Sequence, residues 1–178
     1  MAKIGFLITG HPDYPNDIAL RFADIAARGL RQEGIDLAYS REVLTQPWLA
    51  DAAARQMLRE QDLDGVIVFI GTWIEAPVAV AAIRPLEHLP LAIWGYPMFD
   101  NEGRRDSTGS SVGWAVVKAA LDRIGLPYKG IIGAVDDAGT ISSAIHFCHA
   151  ASTASRLRRS RIGLVGYSSM GMYSATFD

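Results

Sequence analysis

Short apolar runs rich in β-branched residues alternate along this chain with longer amphipathic stretches, and Gly, Pro, Asn or Asp separates each pair. That alternation is the signature of repeated βαβ units and confines the chain to an α/β protein. Strands are predicted at Lys3–Thr9, Ile35–Ser40, Gly65–Ile70, Leu91–Trp94, Gly130–Val135 and Arg161–Gly166. Several are apolar without alternation, as parallel strands covered on both faces are. Helices are predicted at Asn16–Gln32, Trp48–Glu60, Ala76–Arg84, Ser110–Ile124 and Ala138–Arg158, the second turning Leu49, Ala53, Met57 and Leu58 towards the sheet. With right-handed crossovers these elements give a three-layer, doubly wound, mostly parallel sheet of the Rossmann or flavodoxin-like kind.

The 178 residues suit a single folding unit over 1–178, since one core usually spans about 100 to 200 residues. The 17 Lys and Arg nearly balance the 19 Asp and Glu, so the basic excess of a nucleic-acid binder is missing. The run Ile4–Ile8 is too short for a signal sequence, and no window reaches the roughly 18 apolar residues of a membrane span. The lone Cys148 cannot form an internal disulfide and reads as a small apolar filler. A soluble cytoplasmic protein is expected, without nucleic-acid or membrane partners.

In an open α/β sheet, ligands bind outside the carboxyl ends of the strands. The loops there read Gly10-His11-Pro12-Asp13-Tyr14, Gly71-Thr72-Trp73-Ile74-Glu75, Gly95-Tyr96-Pro97-Met98-Phe99-Asp100 and Tyr167-Ser168-Ser169-Met170-Gly171-Met172-Tyr173. Their glycines, rings and hydroxyls suit a polyhydroxylated ligand. Neither a G-x-G-x-x-G nor a P-loop pattern is present, and the Gly10–Tyr14 loop lacks the hydroxyl run that would cradle a flavin phosphate. Ser107-Thr108-Gly109-Ser110-Ser111 either binds an anion at a helix start or simply caps the helix. His146 and His149 share a helical face without a third ligand type, and His88 lies in a Pro-flanked surface turn. His11 lies in the first ligand-edge loop, as a contact or as an exposed side chain. Trp73 either caps the core or forms a ligand platform. Glu75 favours a helix dipole by default. Arg156, Arg158, Arg159 and Arg161 read as a solvated helix end. No catalytic constellation and no metal site is legible.

Three segments together resemble the amino-terminal region of the L-fucose isomerase family: Val68-Phe69-Ile70-Gly71-Thr72-Trp73-Ile74-Glu75-Ala76-Pro77, Leu91-Ala92-Ile93-Trp94-Gly95, and Arg161 to Tyr173 with its Ser-Met-Gly-Met run. Asp106-Ser107-Thr108-Gly109-Ser110 fits the same pattern, and L-arabinose isomerases look like more distant relatives. The resemblance implies the amino-terminal domain of a longer sugar ketol isomerase. It implies a monosaccharide substrate, downstream domains that carry the catalytic metal, commonly manganese, and a homo-oligomer. Trp73 and Met170 would then touch substrate, Trp73 across a subunit boundary, with His11 in the region of a polar substrate contact. No cofactor is expected in this chain, and the isolated chain is expected to be inactive. The stop at Ala175-Thr176-Phe177-Asp178 reads as a boundary cut. The alternatives are a stand-alone sugar-binding or regulatory module and a flavodoxin-like electron carrier, which the fold permits but the Gly10–Tyr14 loop does not favour.

Overall fold

The computed structural model describes residues 1–60 and 62–163. Five parallel strands form one sheet in the order β2-β1-β3-β4-β7, with β1 Lys3–Thr9, β2 Asp36–Leu44, β3 Gly65–Ile70, β4 Leu91–Gly95 and β7 Lys129–Ile132. A hairpin of β5 (Phe99–Asn101) and β6 (Arg104–Asp106) interrupts the connection that follows β4. Five helices flank the sheet: α1 Asn16–Gln32, α2 Pro47–Glu60, α3 Ala76–Ile83, α4 Ser110–Ile124 and α5 Ala138–Arg159.

Strand alternation assigns each buried side chain to a layer. Ile67 and Phe69 of β3 join Ile4, Phe6 and Ile8 of β1 and Trp94 of β4 under α1 and α5. Val66, Val68 and Ile70 turn the other way, against α2, α3 and α4. All six residues of β3 are buried, which is why this run carries no polar alternation. Helix α1 comes close to the sheet on a stripe of Ala19, Ala23, Ala26 and Ala27 that ends in Leu30.

The expected elements form, with differences at their ends. Strand β2 runs on to Leu44 because a register shift between Phe6 and Ile8 lets Val43 and Leu44 pair with the end of β1. Strand β7 stops at Ile132, before the chain turns into the Asp137 cap of α5. The face of α2 is set by Ala50, Ala54 and Met57, and Leu49 is exposed instead of facing the sheet. The expected sixth strand at Arg161–Gly166 is not formed at residues 161–163, and its remainder lies outside the described residues.

At the amino edge of the sheet the buried Asp64 carboxylate accepts the Lys3 N–H at 3.0 Å and meets Arg159 of α5 at 2.9 Å. Arg159 also pairs with Asp62, so the basic helix end is docked on β3. Burial works against the Asp64 charge, but the Lys3 amide, the Ser155 and Ser152 hydroxyls and Arg159 outweigh it, and the carboxyl titrates below its ordinary range. A depressed folded-state pKa gives stability that is present above the unfolded value and lost as pH falls through the folded one. Acid titration followed by circular dichroism is therefore expected to show steeper destabilisation below about pH 4 in the parent chain than in Asp64→Asn, which has no such proton to gain.

Candidate functional site

The loops after β1, β3 and β4 meet at the carboxyl edge, and buried hydroxyls hold them together. Thr72 Oγ1 accepts the His11 N–H at 2.8 Å and donates to the Trp73 carbonyl at 2.8 Å. The Trp73 N–H reaches the Thr108 carbonyl at 2.8 Å. Tyr96 Oη donates to the Gly71 carbonyl at 2.5 Å and accepts from Thr108 Oγ1 at 2.8 Å. Burial pushes the Tyr96 phenol well above its ordinary pKa, so it stays a neutral donor. Ser110 Oγ bridges the Tyr96 N–H and the Ile70 carbonyl.

The Ser107–Ser111 segment is thus not the side-chain cap of α4 that its composition suggests, and Ser107 Oγ accepts the Gly109 N–H at 2.9 Å instead. Its Thr108 and Ser110 hydroxyls are spent inside the protein, and the cap of α4 is Gly109 with no side-chain cap bond. Gly109 has φ +77°, and a Cβ there would lie 2.7 Å from Trp73 Cβ. Glycine at this position lets α4 press against the Trp73 loop.

Over this frame three rings pack together. Tyr14 and Trp73 stack with centroids 5.8 Å apart and planes 24° from parallel. His11 stands edge-on to both, at 5.6 Å from Tyr14 and 5.2 Å from Trp73. His11 Nδ1 accepts the Asp13 N–H at 3.2 Å, and Asp13 Oδ2 approaches the same nitrogen at 3.8 Å. Trp73 is partly buried against this cluster and Tyr14 is 39% exposed, so the rings reach from the loop frame to the surface.

The structure therefore brings His11 and Trp73 together, as the sequence suggested separately, and adds Tyr14. Met170 lies outside the described residues. His88, His146 and His149 are exposed, and among the described residues no three metal-binding side chains converge. Cys148 is buried under α5 with its thiol pushed up to about 12 by burial. Sequence reasoning missed Tyr96 as the clamp between loops. Its only signal was a tyrosine directly after an apolar strand, with a Ser/Thr cluster a dozen residues on.

No family model matches the chain, and no curated protein matches it. Solved structures similar to the chain include a flavodoxin from Streptococcus pneumonia TIGR4, 14% identical over 86% of this chain and 99% of that one at a TM-score of 0.42, and an azoreductase from Bacillus anthracis str. Sterne, 12% identical over 86% and 100% at 0.38. The fold is flavodoxin-like. The strand order requires as much: setting the hairpin aside, it is 2-1-3-4-5.

These findings correct the expected membership in the L-fucose isomerase family, since the structures matched are a flavodoxin and an azoreductase. The role as amino-terminal domain of a sugar ketol isomerase falls with it, as does the sugar module offered as its alternative. The manganese expected of a parent isomerase is likewise withdrawn, and the described residues assemble no metal site. Among the described residues no helix is long and apolar enough to cross a membrane.

In this strand order a flavin nucleotide sits at the β1/β3 switch point, where the direction of winding reverses. The residues present do not fit its phosphate. Pro12 and Pro15 remove two amide donors from the loop, while Asp13 and Asp17 set carboxylates beside it. Asn16 donates to the His11 carbonyl at 2.9 Å, and its buried Oδ1 has no partner among the described residues. An orphan acceptor and two carboxylates repel an anion where a phosphate cradle would need donors.

Proposed function

We propose that the chain binds an uncharged, planar ring compound at the β1/β3 edge, against the wall of Tyr14, Trp73 and His11. The observation that supports this reading is the Tyr14–Trp73 stack at the topological switch point, partly exposed and held from below by Thr72. Charge supports the neutral class. No Lys or Arg occurs between Gly10 and Leu20 or between Gly71 and Ile83, whereas Asp13, Asp17 and Glu75 do. The proposed part of each residue is binding: Tyr14 and Trp73 supply ring area, and His11 stands edge-on to both.

Riboflavin and flavin mononucleotide carry the same ring system and differ by the phosphate, which makes them a matched pair of probes. Calorimetric titration is expected to show riboflavin binding at least about tenfold more tightly than the mononucleotide, a difference of about 1.4 kcal/mol. Trp73→Ala is expected to abolish riboflavin binding while costing only about 1 kcal/mol of stability, the loss of ring contacts at a surface wall. Equal or tighter binding of the phosphorylated form would overturn the neutral class. Absence of riboflavin binding to the parent chain would overturn the planar-ring reading, and a loss of about 3–5 kcal/mol in Trp73→Ala would make the ring a core cap.

A further inference from the structure

A concavity opens at the same edge of the sheet but on the α1 side, at the ends of β4 and β7. It encloses about 370 Å³ and is lined by Phe22 and Ile25 of α1, Tyr96 to Asp100, and Ala134 to Asp136. Three of its apolar lining residues, Phe22, Tyr96 and Phe99, are aromatic. Phe22 stands edge-on to Tyr96 at 4.8 Å and to Phe99 at 4.9 Å, and the buried Tyr96 ring stacks on Phe69 beneath. Met98, 47% exposed, adds a polarisable side chain at the mouth.

The charged groups in the lining are both carboxylates, Asp100 and Asp136. Asp100 accepts the Gly103 N–H at 3.0 Å within the hairpin turn. The Asp136 carboxylate has no hydrogen-bond or ion-pair partner among the described residues, while its neighbour Asp137 is occupied in capping α5 through the Thr140 N–H at 2.7 Å. Aromatic rings with uncompensated carboxylates at the rim are complementary to a cation on an apolar body: the rings take the body and the π-faces and carboxylates take the charge. An anion would meet like charge.

We propose that this pocket binds an organic cation, a primary ammonium or guanidinium carried on an apolar or aromatic body. The site is separate from the ring wall at the β1/β3 edge and does not depend on it. Phenethylammonium, its neutral counterpart 2-phenylethanol and the anion 3-phenylpropanoate serve as probes of one body with three charges. Calorimetric titration of the whole chain at low salt is expected to give the ammonium at least about tenfold tighter than the alcohol, with no binding of the carboxylate. The double variant Asp100→Asn, Asp136→Asn changes exposed side chains only, and is expected to bring the ammonium down to the affinity of the alcohol. Phe99→Ala is expected to weaken both, and Trp73→Ala to change neither. Equal binding of the three probes, no binding of the ammonium, or ammonium affinity that survives the double substitution would each overturn the proposal.

Discussion

Truncating Phe69 to alanine is expected to lower the unfolding free energy by about 3–5 kcal/mol, as loss of a fully buried aromatic ring does. Phe69 is buried in the middle strand of the sheet, between the stacked rings of Phe6 at 5.7 Å and Tyr96 at 5.6 Å and beside Trp94 at 5.9 Å. Relaxation is restricted, because its neighbours belong to three paired strands and their ends, and the cavity left behind adds to the lost transfer energy. Urea denaturation followed by fluorescence measures the change. A loss below about 2 kcal/mol would mean that the aromatic layer collapses into the space. Because the ring also supports Tyr96, ammonium binding in the neighbouring pocket is expected to weaken in the folded fraction.

Removal of a single oxygen, Tyr96→Phe, is expected to cost about 1–3 kcal/mol. The hydroxyl donates to the Gly71 carbonyl and accepts from Thr108, and both partners are buried. Phenylalanine fills the same space but leaves two buried polar groups without a partner, which is the costly half of the exchange. The variant also tests how the loops are held. With the Gly71 anchor gone, riboflavin affinity is expected to fall although Trp73 is intact, whereas the apolar walls of the second pocket remain. A Tyr96→Phe chain as stable as the parent would show that water takes over both groups.

Much of the fold was legible because parallel strands carry their own label. The run Val66-Ile67-Val68-Phe69-Ile70 can be tolerated only where both faces are covered, and β3 is that strand. The hairpin of β5 and β6 was not read, because its turn is Glu102-Gly103, both with positive φ, where Asn-Gly is the stronger signal. Leu49 was misplaced because helical spacing alone left two adjacent faces open, and Ala50 and Ala54 pack closer than leucine would.

For the site, residue type and loop position sufficed for His11 and Trp73, but not for their partners. That Tyr14 stacks on Trp73, 59 positions away, follows from the β1–β3 pairing and not from any local pattern. The Thr108 and Ser110 hydroxyls mislead for the reverse reason. Local pattern suggested a cap, and tertiary contact with Tyr96 and Ile70 claimed them instead. The isomerase expectation drew on segments such as Val68–Pro77, whose apolar start Val68-Phe69-Ile70 is what any parallel strand covered on both faces carries.

The Asp64–Arg159 pair and the Tyr96–Thr108 clamp sit at opposite ends of β3, six residues and thus about 20 Å apart. At that separation, with no shared partner, their free-energy contributions sum without a coupling term. Stability added or lost at the amino end therefore leaves the loops at the other end unaffected, whereas a change at the Tyr96 clamp touches binding and folding together.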